Sequence, residues 1–92
     1  MYYSNSIKRI RELIKEKYPD VEPADNPKDI PSHCLWMCDR IEEMPAGVHG
    51  KPARWIGWIF GSLEAIGLIE NKDSRDMVRS DKAHLNLLGS DT

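Results

Sequence analysis

The chain has 92 residues, a formal net charge of −2, and 30% charged against 40% hydrophobic residues. That length predicts one domain with its own core, near the size at which a second copy adds stability. The charge balance excludes a global basic field for nucleic acid, and neither a membrane-spanning run nor the apolar stretch of a signal peptide is present, so a cytoplasmic protein is expected.

The first predicted helix runs over 5–18, with Asn5 or Ser4 as its cap. Ile7, Ile10, Ile14 and Tyr18 make a narrow apolar stripe that Tyr3 extends upstream. Lys8, Arg9, Arg11, Lys15 and Lys17 make the rest basic. This predicts a solvated face, with Glu12 and Glu16 offsetting neighbouring cations, rather than a phosphate-binding one.

A linker follows over 19–30, PDVEPADNPKDI, turn-rich and acidic. It is long enough for the first helix to pack on its own subunit or to reach across to another.

The second predicted helix covers 31–44 and is closed by Pro45, with Asp29 or Ser32 as its cap. Cys34, Met37, Cys38, Ile41 and Met44 share one arc. Trp36 falls outside it, among Asp39, Arg40 and Glu43, with Arg40 one turn on and able to stack over the indole. A tryptophan on a polar face is either an interface anchor or a ring packed under the linker.

After a turn over 46–50 comes KPARWIGWIFGSLEAIGLI, around which the chain is organised. A helix over 51–66 sets Trp55, Ile56, Ile59, Phe60, Leu63 and Ile66 on one arc, while Gly57, Gly61 and Glu64 occupy the other side with Trp58 beside them. A helix with so little polar surface is expected to be buried at the centre of the fold. Gly67 suits the left-handed position past its end, with Leu68 making the accompanying apolar contact. Two interior glycines cost about 1 kcal/mol each relative to alanine. Close approach of a second backbone is the usual compensation, from a helix of the same chain or from a partner.

A short helix is predicted over 73–80, then a short helix or tail over 82–92. The expected fold is all-α: a small four-helix bundle around the 51–66 helix, with dimerisation as a means of completing it.

Three kinds of chemistry compete with this reading. His33, Cys34, Cys38 and His49 invite a zinc site, but His33 points away from Cys34 on a helix and no second ligand pair follows. A cysteine nucleophile would need Cys34 or Cys38 beside His49 or His84, yet both thiols lie on the core face. No cofactor is expected. SLEAIGLIENKDSRDMVR looks like the end of a recognition helix and the wing of winged-helix regulators, with Lys72, Arg75 and Arg79 as its basic groups. However, the helix lacks side chains suited to base edges, and the wing carries Asp73, Asp76 and Asp81.

From His33 to Asp81 the chain also resembles a group of small uncharacterised proteins encoded by bacteria and phages. The residues concerned are His33, Leu35-Trp36-Met37, Lys51, Ala53-Arg54-Trp55-Ile56-Gly57-Trp58-Ile59, Gly61, Gly67, Arg75-Asp76 and Arg79. The resemblance implies that Trp36, Arg54, Trp55, Gly57, Arg75 and Asp76 form one structural unit, and it implies no activity. The expectation is therefore a non-enzymatic accessory protein acting through protein association. Its first partner is a second copy, and Gly57, Trp58, Gly61, Trp36 and Arg40 form its interface.

Overall fold

The computed structural model describes residues 3–45 and 50–70, together with Asp76 and Arg79, which are helical and exposed. Among the described residues three continuous helices are present, α1 (Ser4–Lys17), α2 (Ile30–Glu43) and α3 (Gly50–Ala65), and there is no strand. The fold is all-α. The helix and tail expected after residue 72 lie outside the described residues, apart from Asp76 and Arg79.

α1 buries Ser6, Ile7, Ile10 and Ile14, the period of a one-sided amphipathic helix. Its start differs from expectation. Neither Ser4 nor Asn5 caps it; Tyr3 holds the N-cap position with no side-chain cap, and its carbonyl accepts from the Ile7 N–H at 2.9 Å. The Tyr3 ring is buried in the core. Burying a large side chain gains about 1.5–3 kcal/mol, against about 1 for a polar cap, so the ring decides where the helix begins.

α2 starts as an N-capped helix should. The Asp29 carboxylate accepts from the Ser32 N–H at 3.5 Å and from the Ser32 hydroxyl at 3.1 Å, with Pro31 in the first turn. It stops at Met44, whose ψ of 143° is extended because Pro45 disfavours a helical residue before it. Between these ends Ser32, His33, Cys34, Leu35, Met37, Cys38 and Ile41 are all buried, which is more than one face can supply. The reason is that α2 packs against both α1 and α3.

The central position therefore belongs to α2, and the expectation of a buried helix over 51–66 is corrected. α3 buries Pro52, Ile56, Ile59, Phe60 and Leu63 on one side only. Its other side exposes Lys51, Ala53, Arg54, Gly57, Trp58, Gly61 and Ala65. Small residues had made that side look apolar without making it a packing face. α3 ends in a Schellman motif: Gly67 has φ of 78°, its N–H donates to Glu64 O at 3.1 Å, and the Leu68 N–H donates to Leu63 O at 2.9 Å. An L side chain at Gly67 would be strained by that φ alone.

The linker is pinned to its own subunit. The Ala24 N–H donates to Ser32 O at 3.1 Å, the Lys28 N–H to Asn26 Oδ1 at 3.2 Å, and Lys15 Nζ to Val21 O at 2.6 Å. α1 packs on α2.

Arg11 leaves the basic face that the sequence assigned it. Its guanidinium donates to Asp39 Oδ1 at 2.7 Å and also to Glu42 Oε1, tying α1 to α2. The hydrogen bond from Arg11 lowers the Glu42 pKa. A carboxyl lowered in the folded state contributes stability that is complete above its unfolded value and is lost as pH falls through the folded one. The Glu42 side chain is 43% exposed, so solvent screening keeps the contribution modest. The urea midpoint should fall on acidification through the carboxylate range. Arg11→Gln should make that fall shallower, and an unchanged slope would show that the pair does not act on folding.

Candidate interaction face and aromatic cluster

Where α2 meets α3, His33 and the three tryptophans form one cluster of four aromatic rings. The imidazole is stacked on Trp36, with centroids 5.4 Å apart and planes 12° apart, and it meets Trp58 edge-on at 5.3 Å and 86°. Trp36 continues to Trp55 at 6.1 Å. Two cations close the ends: the Arg40 guanidinium lies 5.5 Å over Trp36, and Lys51 Nζ lies 5.2 Å over Trp55. The i,i+3 spacing of His33 with Trp36, and of Trp55 with Trp58, sets each pair on adjoining turns of its helix.

His33 is 9% exposed, and its Nδ1 has no hydrogen-bond partner. The nearest acid is Asp25 of the linker, whose Oδ1 is 3.6 Å away, beyond hydrogen-bond length. Arg40 Nε lies 2.7 Å from Glu43 Oε2, an ion pair whose N–H is not aligned for a hydrogen bond.

The expected interface residues fall into two groups. Gly57, Trp58 and Gly61 lie on the exposed side of α3, and Trp58 is the exposed large hydrophobic residue of the described chain, at 42%. Trp36 and Arg40 lie on α2 and reach the same cluster through His33. Trp36 is half-buried between the ring of His33 on its own helix and that of Trp55 on α3.

Close packing of the glycines against a helix of the same chain does not occur among the described residues. A Cβ built on Gly57 or Gly61 meets nothing within 4 Å. The glycines leave a flat shelf beside Trp58.

Pro27, His33, Met37, Arg54, Trp55 and Trp58 line an open cleft of about 380 Å³. Arg54, Trp55 and His33 belong to this site, although the interface expected from the sequence did not include them. The signal was there in the two i,i+3 aromatic pairs.

The chemistry-bearing alternatives fare differently. Cys34 and Cys38 are free thiols with no exposure, and burial pushes both up to about 12, so the nucleophilic thiolate is disfavoured. Thiol labelling should be slow at neutral pH and become fast in urea; rapid labelling of the folded protein would overturn this assignment. No three His, Cys, Asp or Glu residues are grouped to hold a metal among the described residues. His49, His84, Lys72 and Arg75 lie outside the described residues, and Arg79 is exposed. No helix among the described residues is long and apolar enough to cross a membrane.

Compared with known proteins, the chain matches no family model, no curated protein and no solved structure.

Proposed function

We propose that the chain is a non-enzymatic cytoplasmic accessory protein that acts by binding protein, with a second copy of itself as first partner. Its interface is the outer side of α3 around Gly57, Trp58 and Gly61, bordered by Trp36 and Arg40. The observation that carries this reading is an exposed Trp58 beside two helical glycines with open space above them. Removing the exposed part of one indole from water is worth on the order of 2 kcal/mol. The glycine shelf would let a partner backbone approach closely enough to cover it.

Composition supports the same reading. Tryptophan, methionine and arginine are enriched at protein interfaces, and this cluster gathers Trp36, Trp55, Trp58, Met37, Arg40 and Arg54. Size sets a condition. A 16-residue helix offers a strip about 24 Å long and about 10 Å wide, well short of the roughly 800 Å² per partner in a stable interface. The Trp36–Arg40 ridge must therefore contribute as well.

Sedimentation equilibrium over a wide concentration range tests this directly. A mass of twice 10.6 kDa is expected, returning towards the monomer in Gly57→Leu and Gly61→Leu. A monomer at the highest concentrations would remove the second copy as partner.

A further inference from the structure

We propose that the cleft between α2, the linker and α3 is a socket for one aromatic side chain of an acidic peptide segment in a partner protein. The inference rests on the reading that the chain acts by binding protein, and it adds what that partner must carry. At about 380 Å³ the cleft falls at the lower end of ligand-sized cavities, suited to one large side chain rather than an extended ligand. Its walls are ring edges and faces from His33, Trp55 and Trp58, with Pro27 and the thioether of Met37. A planar ring can meet them edge-on or offset, as the resident rings already meet one another, and methionine adapts to its outline.

Charge sets the flank of that ring. Arg54 is the only charged residue lining the cleft among the described residues, it is exposed, and Lys51 stands one turn before it over Trp55. Asp25 lies 3.6 Å from His33 Nδ1. A carboxylate on the partner is therefore repelled near His33 and finds its complement at Arg54 and Lys51. Gly57 and Gly61, on the exposed side of the same helix as Arg54 and Trp58, have open space around them for the segment's backbone. A nucleic-acid strand would also offer rings and negative charge, but it needs a track of cations along its backbone, whereas this cleft has Arg54 and Lys51 in a chain of net charge −2.

The test is an NMR titration of the isotope-labelled full chain with an acetylated tetrapeptide amide containing three glutamates and one tryptophan. A version with lysines for the glutamates, a version with alanine for the tryptophan, and a ten-residue oligothymidylate serve as competing probes. The acidic aromatic peptide should shift the indole N–H signals of Trp55 and Trp58 saturably. The lysine version should bind roughly fivefold more weakly, the scale of one exposed ion pair made or lost, and Arg54→Glu should invert that order. The alanine version should leave both indoles unmoved.

Equal binding of both charge versions, shifts confined to other residues, no binding, or tighter binding of the oligothymidylate would each overturn the proposal. Sedimentation of the same samples separates it from the dimer reading. A monomer that binds the acidic peptide at Trp55 and Trp58 keeps the socket and loses the second copy. A dimer indifferent to the peptide loses the socket alone.

Discussion

Ile10→Ala will lower the free energy of unfolding by about 2–5 kcal/mol, the cost of truncating a fully buried aliphatic side chain. Ile10 has no exposed surface and sits at the centre of the stripe formed by Ile7, Ile10 and Ile14. Among the described residues the principal contact of α1 is with α2, so the loss falls on that interface. Domains of this size hold on the order of 5–15 kcal/mol in total, which makes the loss a large share of the whole. Urea unfolding followed by circular dichroism should show a lower midpoint with an unchanged slope. Lys8→Ala, on the exposed side of the same helix, should stay within about 0.5 kcal/mol of the parent. A loss below about 1 kcal/mol at Ile10 would mean that the stripe is not packed as described.

The second large effect is at His33, and there the two substitutions should differ. His33→Ala removes a ring that touches both Trp36 and Trp58, and about 2–4 kcal/mol should go with it. His33→Phe keeps a ring in place and removes the buried Nδ1 that has no hydrogen-bond partner. An unsatisfied buried polar atom costs about 1–3 kcal/mol, which offsets the strain of a slightly larger ring. The phenylalanine variant should therefore lie within about 1 kcal/mol of the parent. If it is as unstable as the alanine variant, the imidazole is held by its nitrogens and Asp25 rather than by its faces.

The all-α character was legible because the helical period is strong in each segment. The isoleucines of α1 repeat at three and four, Pro45 closes α2, and Gly67 with Leu68 closes α3 in a hydrogen-bonded motif that only a left-handed residue permits. The rank of the helices was not legible. Periodicity records how apolar a face is, and glycine and alanine on the outer side of α3 count as non-polar whether or not anything packs on them. In α2, Ser32 and His33 are buried although their side chains are polar, so the two-sided burial that makes it central was concealed. Tyr3 was seen as an extension of the stripe, but nothing local showed that its ring would outrank the Ser4 and Asn5 side chains at the helix start.

For the candidate site, the sequence singled out Trp58, the glycines, Trp36 and Arg40, since an aromatic among charges and a glycine inside a helix both break local rules. It did not reveal that His33 joins Trp36 of α2 to Trp58 of α3. That contact depends on how α2 and α3 face each other, which no spacing within one helix encodes. Arg11 is a similar case: its position among basic residues predicted solvent, and its partners Asp39 and Glu42 lie 28 and 31 residues away.

The placement of α2 between its two sequence neighbours also bears on how the chain reaches its native state. The principal helix–helix contacts join elements consecutive along the chain, α1 with α2 and α2 with α3. Such a topology has low contact order, and helical proteins of this kind fold in microseconds to milliseconds. Neither hairpin must wait for distant ends to meet, since loop closure costs little for connections this short. α2 is the common scaffold on which both hairpins grow, so substitutions in its core should slow folding, while those on the outer side of α3 should leave the folding rate unchanged.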